Sequence, residues 1–310
     1  MSRKIFITGG AGFLGRGVID KYYNTGSQIT VFSRDECKHY YLSKTYPNVR
    51  FIIGDVRNQD LLNRSCRGHD VGIFAASLKQ IDACSQNVEE AVQTIVHGAI
   101  NSKRAAIENN LESACFISTD KSRAATTIYG SLKYIAGESF ILNNDNISTR
   151  LSTAIYGNVT NSTGSLIPLI WESIRGGYTM ILYEETMTRF MIDIEEAVDT
   201  IEKCLLMKNV NVVPNVKSFR VKDVFEIYKE QFGLKYTIGV PRVNEKIHEI
   251  MSSSEEVPRM KYLPEKDCYI IDPHKVYNEV KFNNNEYSSK DRVMAKNELY
   301  LRLSKKNFYQ

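Results

Sequence analysis

Short apolar runs alternate with longer amphipathic segments through the first half of the chain. The runs predicted as β-strands are rich in Ile, Val and Phe: KIFIT, ITVFS (29–33), VRFIIG (49–54), VGIFAA (71–76), SACFIS (113–118) and ISTRLS (147–152). Segments of helical character separate them, at 13–24, 58–66, 85–109 and 129–144. This alternation predicts a parallel sheet covered on both faces, and right-handed crossovers then give a doubly wound, Rossmann-type α/β fold.

After about residue 155 the pattern changes. We predict a helix after Gly164, a strand feeding a helix in MTRFMIDIEEAVDTIEKCLLM, a helix in VKDVFEIYKEQF that ends at Gly233, and a further helix in EKIHEIMSS. These elements predict a smaller C-terminal α/β lobe at the carboxyl edge of the sheet. We therefore assign residues 1–155 to the Rossmann-type domain, with a returning segment near 187–207, and residues 156–310 mainly to the lobe.

Composition narrows the class of protein. The 310 residues are 43% hydrophobic and 25% charged, which is ordinary for a soluble globular protein. The net charge is +4, and the only visible basic cluster is the tail LYLRLSKKNFYQ, which we expect to be a solvated end rather than a nucleic-acid site. The six cysteines form no C-x-x-C pair, so neither a metal site nor a redox pair is expected. With no signal-peptide pattern and no run long enough to span a membrane, we expect a cytoplasmic protein without a membrane partner.

A glycine-rich turn follows the first strand. ITGGAGFLGRGV holds Gly9, Gly12 and Gly15 in the spacing G-x-x-G-x-x-G, with Phe13 and Leu14 in the first helical turn. Glycines let a pyrophosphate approach the backbone, and the helix N-terminus offers free N–H groups. We therefore predict a dinucleotide site here and assign it to residues 1–155.

The second strand ends in VFSRDE, and these residues bear on the choice of cofactor. An NAD site usually places an acid at this point, whereas here Ser33 and Arg34 come first. A hydroxyl and a guanidinium suit a 2′-phosphate, so NADP is favoured over NAD. Other residues expected at the cofactor follow the third and fourth strands: Asp55 and Val56 near the adenine, and Ala75 and Ala76 beneath the cofactor.

Candidate catalytic residues follow the fifth strand. Thr119, Asp120 and Lys121 come at its carboxyl end, which in an open α/β sheet borders the binding crevice. Tyr129 and Lys133 lie four residues apart, on one face of the next helix. These types of side chain suit proton transfer, although Asp120 and Lys121 could instead be a surface ion pair in a solvated loop.

These motifs resemble the extended short-chain dehydrogenase/reductase superfamily, and more closely its inverting UDP-N-acetylglucosamine 4,6-dehydratases. The resemblance rests on the glycine spacing, Thr119 and the Tyr129-x-x-x-Lys133 pair. It extends over most of the chain through FSRDE, GDVRN, SLKQ, STDKS, YGSLK, GNV…GSLIPL, MTRF and EKIHE. Retaining dehydratases typically carry Glu where Lys121 stands.

The resemblance implies a sequence of proton and hydride transfers. Tyr129, its pKa lowered by neighbouring positive charge, takes the proton of the sugar 4-hydroxyl; Thr119 binds the same oxygen and Lys133 the nicotinamide ribose. A neutral Lys121 then removes the C5 proton, and a protonated Asp120 gives its proton to the departing 6-hydroxyl. Lys121 acts a second time to invert C5, which gives a UDP-2-acetamido-2,6-dideoxy-L-arabino-hexos-4-ulose, the first step toward a UDP-linked N-acetylated 6-deoxy-L-sugar. The family further implies a tightly bound, recycled NADP and a homo-oligomer, either a dimer or a hexamer.

The substrate side is expected in the second half of the chain. Asn158 and Ser165 precede a helix suited to a diphosphate, and Arg189 and Arg242 are the expected diphosphate and uridine clamps. Glu245 is expected to accept a ribose hydroxyl, and Lys79 to reach either the cofactor or the sugar. We interpret His248 as a packed helix residue.

Three positions depart from the family pattern: Ile95 for Asn, Ile155 for Arg, and VNEK for PGEK. The first could loosen a backbone kink near Lys133, and the other two concern substrate contacts. Two other functions remain open. One is a UDP-sugar 4-epimerase or 4-keto reductase, and the other is a non-catalytic NADP-binding protein.

Overall fold

The computed structural model describes residues 2–144, 146–241 and 243–309. The first half of the chain contains six strands, most of them largely apolar, as expected for a sheet with helices on both faces. Their bounds are β1 Lys4–Thr8, β2 Gln28–Ser33, β3 Arg50–Ile53, β4 Val71–Phe74, β5 Ser113–Ile117 and β6 Arg150–Ala154. All neighbouring pairs are parallel, in the order β3-β2-β1-β4-β5-β6. This is the strand order of the doubly wound dinucleotide-binding fold, so the predicted fold class is confirmed.

Helices fill both faces of this sheet. The first half contributes α1 Phe13–Tyr23, α2 Glu36–Thr45, α3 Gln59–Cys66, α4 Ile81–Gln86, α5 Val88–Ala91, α6 Gly98–Glu108 and α7 Ile128–Ile141, with a π-helical turn, Val92–His97, between α5 and α6. On one face α3, α6 and α7 bury residues such as Leu62, Ala106 and Phe140. On the other face α1 packs against a helix from the second half of the chain, and Val18 and Ile201 belong to one core.

The second half supplies the lobe and completes the sheet. Its helices are α8 Leu166–Gly176, α9 Ile194–Leu205, α10 Val221–Phe232 and α11 Lys296–Lys305. Its strands are β7 Asn158–Val159, β8 Met180–Leu182, β9 Thr188–Ile192, β10 Asn211–Pro214, β11 Ser218–Arg220, β12 Tyr236–Ile238, β13 Ile250–Ser252, β14 Met260–Leu263, β15 Cys268–Ile271 and β16 Tyr287–Ser288. Within the described residues β10, β15 and β14 extend the central sheet to nine strands, β10 parallel to β6 and the last two antiparallel. Residues beyond 155 therefore contribute to both parts of the molecule.

One predicted helix is wrong. EKIHEIMSS is extended, because its backbone pairs with distant segments rather than with itself. The Thr188 N–H donates to the Ile247 carbonyl (3.0 Å), the Ser289 N–H donates to the Glu249 carbonyl (2.9 Å), and β13 pairs with β16. Tertiary pairing thus overrides the local preference of this segment, and His248 packs in a strand-like bridge instead of on a helix.

Three smaller expectations also need correction. The sixth strand begins at Arg150 rather than at Ile147. Ile147 instead donates its N–H to the Asn144 carbonyl (3.2 Å). Helix α2 was not predicted, since its polar sequence buries only His39. The basic tail is not a solvated end: Leu299 and Leu303, four residues apart, are fully buried on α11. None of the helices in the described ranges has the length and apolar character that a membrane crossing requires.

Candidate active site

The glycine turn after β1 has the shape that a dinucleotide needs. Gly9 adopts φ 68°, and a Cβ there would lie 2.9 Å from the Ala76 Cα, so the turn and the end of β4 can touch only without a side chain. Helix α1 begins after Gly12, which provides no side-chain cap, so the N–H groups of its first turn remain available to an anion. The turn and the segment after β4 thus form a cradle whose shape fits a pyrophosphate. The cofactor contacts expected of its residues stay predictions: Gly9, Gly12, Phe13, Leu14, Gly15, Ala75 and Ala76.

The segments after β2 and β3, where the adenosine is expected, are rich in charge. Arg34 lies 3.7 Å from Asp55 and its side chain is 55% exposed. Asp55 is bound more closely by Arg57 (2.6 Å), and Val56 is buried beside it. The carboxylate of Asp35 faces its own helix, where it accepts from the Lys38 N–H (2.9 Å) and caps α2. The Ser33 hydroxyl lies 2.6 Å from His39 Nε2.

The predicted catalytic turn is at the carboxyl end of β5. Asp120 to Ser122 form a single 3₁₀ turn that Thr119 caps. Asp120 is fully buried, and its Oδ1 accepts from Thr119 Oγ1 (3.0 Å) and from Lys121 Nζ (3.2 Å). Its other oxygen has no hydrogen-bond partner among the described residues. The side chain of Lys121 is 23% exposed, so the ion pair stands at the edge of the crevice rather than in a solvated loop.

Helix α7 brings Tyr129 and Lys133 against this turn. Thr127 caps the helix by accepting from the Gly130 N–H (3.1 Å), which places Tyr129 in the first turn. Both functional side chains are buried, at 7% exposure for Tyr129 and 4% for Lys133. The Lys133 ammonium donates to the Ile117 carbonyl (2.6 Å) and lies 4.7 Å from the centre of the Phe116 ring.

Burial sets the direction of most pKa shifts in this site. It lowers the pKa of Lys133 to about 7 and raises the pKa of Tyr129 to about 12. The expected lowering of the Tyr129 pKa is therefore not seen in the protein alone. Burial, together with the charge of Glu249, also raises the pKa of Asp120, although Lys121 opposes this. For Lys121 burial alone would lower the pKa, but the carboxylates of Asp120 and Glu249 outweigh it and the net shift is upward.

Glu249 contacts the predicted catalytic turn, although the sequence analysis gave it no role. Its side chain is 4% exposed, and its Oε1 lies 3.0 Å from Lys121 Nζ and 3.7 Å from Arg189 Nε. The only signal in the sequence was its place at the end of the EKIHE motif, to which no role was assigned. In the predicted helix it would have been one turn from Glu245, with no reason to approach Lys121.

The residues predicted to bind substrate divide into two groups. Asn158 joins the catalytic turn directly, because its Oδ1 accepts from Lys121 Nζ (3.3 Å). Ser165 precedes α8, and its buried hydroxyl has no partner among the described residues. Lys79 donates to the Thr163 carbonyl, so it links the end of β4 to the loop before α8.

The second group surrounds Arg189. Its guanidinium is nearly buried and donates to the Thr188 carbonyl (2.8 Å), the Ile247 carbonyl (3.1 Å) and Glu245 (3.3 Å). The other oxygen of Glu245 is buried without a partner among the described residues. Arg242 lies outside the described residues. The diphosphate and uridine roles of this group stay predictions.

The departures from the family pattern are accommodated locally. Ile95 is buried within the π-helical turn, so the backbone irregularity near α7 is present without Asn. Ile155 is part of the core. Asn244 has φ 65°, a conformation that Gly and Asn adopt more readily than other residues, which explains why Asn can replace Gly in VNEK.

Comparisons with known proteins place the chain in a family. Residues 5–270 match the family model described as polysaccharide biosynthesis protein. The chain is 32% identical over 265 residues to UDP-N-acetylglucosamine 4,6-dehydratase (inverting) of Campylobacter jejuni subsp. jejuni serotype O:2, covering 82% of this chain and 78% of that protein. It is 31% identical over 290 residues to a UDP-glucose 4-epimerase of Rickettsia conorii, covering 87% and 83%.

Two further matches span almost the whole chain. A protein of Methanocaldococcus jannaschii described as an uncharacterized membrane protein is 31% identical over 325 aligned positions, covering 99% of this chain and 96% of that one. The X-ray structure of Pen from Bacillus thuringiensis has a TM-score of 0.91 at 24% identity, covering 99% and 98%. This structural likeness supports the fold.

Proposed function

The chain belongs to the polysaccharide biosynthesis protein family, and on that basis we propose that it is a UDP-N-acetylglucosamine 4,6-dehydratase that also inverts C5. One observation carries the proposal. An amine and a carboxyl group, Lys121 Nζ and Asp120 Oδ1, lie 3.2 Å apart at the carboxyl end of β5, against the helix that holds Tyr129 and Lys133. Oxidation at C4 needs only Tyr129 and Lys133, whereas elimination of water needs an additional base and an additional acid.

The oxidising half of the site is formed by Tyr129, Lys133 and Thr119. A bound nicotinamide cofactor would supply hydride acceptance from C4 and hydride return to C6. Tyr129 takes the proton of the 4-hydroxyl, which requires that its pKa fall from about 12 once positive charge is bound beside it. Thr119, whose hydroxyl lies 3.0 Å from Asp120 Oδ1, would bind the sugar oxygen, and Lys133 would bind the ribose.

The eliminating half is the Asp120–Lys121 pair. At rest the raised pKa of Lys121 keeps it an ammonium, so it becomes a base only after passing a proton to Asp120 across their hydrogen bond. The raised pKa of Asp120 favours this transfer. The neutral amine then removes the C5 proton. Asp120 is fully buried, so its proton reaches the departing 6-hydroxyl through the groups that it contacts, Thr119 Oγ1 and Lys121 Nζ.

We propose NADP as the cofactor. The acid that would repel a 2′-phosphate, Asp35, is turned into its own helix and paired with Lys38 (2.7 Å). Arg34 next to it is exposed and only weakly paired with Asp55. A guanidinium in this position supports binding of a phosphate more than of a ribose hydroxyl.

A 4-epimerase is the second candidate, because the chain is also 31% identical to a UDP-glucose 4-epimerase. Epimerisation at C4 would use Tyr129, Lys133 and Thr119 and leave Asp120 and Lys121 without a role. Incubation of the purified protein with UDP-N-acetylglucosamine separates the candidates. A dehydratase forms a 4-keto product that has lost one water, without added NADPH and without net change in NADPH absorbance. A product of unchanged mass would support the epimerase, and consumption of one NADPH per product would indicate a reductase.

The proposal includes assembly into a homo-oligomer, a dimer or a hexamer. One face of α7 carries Ile128, Tyr134 and Ile135 with 36%, 44% and 50% of their surfaces exposed, which supports contact with a second copy of the chain. Sedimentation velocity measures this directly, since assembly gives a multiple of the 35.4 kDa chain mass and a single-chain mass would reject it.

A further inference from the structure

Both the backbone and the side chain of Glu249 are held by contacts with other segments of the chain. Its N–H donates to Ser289 Oγ (2.9 Å) and its carbonyl accepts from the Ser289 N–H (2.9 Å), so its backbone is fixed on both sides just before β13. Its carboxylate is buried, with Oε1 between Lys121 and Arg189 and Oε2 without a partner among the described residues. A buried carboxylate is costly unless it is paired, so this one is held in place by the two cations.

Lys121 is thereby surrounded by acceptors. Its Nζ lies 3.0 Å from Glu249 Oε1, 3.2 Å from Asp120 Oδ1 and 3.3 Å from Asn158 Oδ1. An ammonium has three N–H donors, so these three acceptors satisfy it completely. For the amine to act as a base, one of the two carboxylates must accept a proton from it.

The two carboxylates are not equivalent. Arg189 and Lys121 hold the pKa of Glu249 below its usual value despite its burial, with Lys246 contributing in the same direction. Among the described residues Asp120 has no arginine partner, and its pKa is raised by burial and by Glu249. The proton therefore moves to Asp120 while Glu249 stays charged.

We propose that Glu249 is a positioning residue that aims Lys121 and sets how many protons the Asp120–Lys121 pair carries. The inference rests on the proposed dehydratase function. In the active form of the pair, Lys121 is a neutral amine and the one shared proton is on Asp120. The charge of Glu249 makes both members of the pair bind protons more tightly. Among the residues that the structure describes, the other charged or titratable groups near these three are Arg189 from β9, Glu245 and Lys246 from the extended segment, and Tyr129 from α7. Behind Tyr129 lie Lys133 from α7 and Cys84 from α4.

The sign of the effect follows from this. The active pair carries one proton. As pH increases, activity therefore rises when the doubly protonated pair loses its first proton, and it falls when the pair loses its second. A negative neighbour moves both steps to higher pH. Glu249→Gln keeps the size of the side chain but removes its charge. Both limbs of the pH profile of kcat/KM should therefore move to lower pH. The expected shift is about one pH unit for each loss of about 1.4 kcal/mol of interaction between the Glu249 charge and a proton of the pair.

The experiment compares four proteins: the unaltered enzyme, Glu249→Gln, Glu249→Asp and Glu255→Gln. Glu255 is an exposed glutamate on the same segment, so its variant controls for loss of one negative charge. The pH profile of dehydration is measured for each. In the enzyme without substrate, the ¹⁵N chemical shift of Lys121 Nζ is titrated, with its signal assigned from its absence in Lys121→Arg.

We expect both limbs and the Nζ titration to move to lower pH in Glu249→Gln, and to stay near their original positions in Glu249→Asp and Glu255→Gln. A fall in kcat with unmoved limbs and an unmoved Nζ titration would show that Glu249 is merely structural, and a shift in Glu249→Asp as large as in Glu249→Gln would also overturn the proposal. If the unaltered enzyme proves not to be a dehydratase, the proposed function fails, and the Nζ titration still decides whether Glu249 controls the charge of Lys121.

Discussion

At the scale of single residues, the proposed preference for NADP rests on Arg34 and Asp35 after β2. The carboxylate of Asp35 caps α2 and pairs with Lys38, while Arg34 is exposed and has only a long ion pair with Asp55 (3.7 Å). A ribose hydroxyl would gain little from this arginine, whereas a phosphate forms charge-assisted bonds with it.

Arg34→Asp should therefore narrow or reverse a preference for NADP. The carboxylate would repel the 2′-phosphate and could accept from the ribose hydroxyl. Dissociation constants for NADPH and NADH, measured by quenching of protein fluorescence, test this. Arg67→Asp makes the same change of charge after α3, ahead of the amino end of β4, whereas Arg34 follows the carboxyl end of β2. It should leave both constants unchanged. Equal affinity of the unaltered protein for both cofactors would refute this account of Ser33 and Arg34.

At the scale of elements, the catalytic turn is placed by direct backbone contact with α7. A Cβ on Gly130 would lie 2.2 Å from the Lys121 carbonyl oxygen, so the helix can approach the turn only because this residue has no side chain. The same helix contains Gly137, where a Cβ would meet Thr153 Cγ2 at 3.5 Å, an ordinary contact.

Gly130→Ala should displace the turn that carries Asp120 and Lys121 while the fold persists. A displacement of about 1 Å can cost on the order of 100-fold in rate, and we expect a loss of that size in the dehydration step with cofactor binding retained. Gly137→Ala should keep its activity and gain up to about 1 kcal/mol of helix stability. Steady-state rates and thermal unfolding of both variants test these two expectations. Full activity in Gly130→Ala would mean that the close approach of Gly130 to the Lys121 carbonyl does not hold the turn in place.

Elements also show where sequence patterns succeed and fail. Strands buried on both faces, such as KIFIT, were predicted within a residue or two, because a continuous apolar run bounded by Gly leaves few alternatives. Helix α2 escaped prediction because it buries almost nothing, and EKIHEIMSS was assigned to a helix because its pairing partners lie at 188 and 287–289. Local pattern carries no information on partners so far along the chain.

At the scale of the whole molecule, the candidate site is assembled from both halves of the chain. Thr119, Asp120, Lys121, Tyr129 and Lys133 were predictable because strand end and helix lie within one short segment. Glu249 was not, since it reaches Lys121 only when β13 pairs with β16 and the extended segment crosses β9. The site thus combines a recognisable motif with a charge that only the tertiary fold supplies.

The central claim is that Lys121 removes the C5 proton and allows its return from the other face of the ring. The most direct test is proton NMR of the purified protein turning over UDP-N-acetylglucosamine in D₂O. We predict a 4-keto-6-deoxy product that carries deuterium at C5, with the L-arabino configuration dominating early, and a loss of at least ~100-fold in rate in Lys121→Ala, the usual size of a general-base loss. A product of the D-xylo configuration alone, or unchanged turnover in Lys121→Ala, would contradict the account.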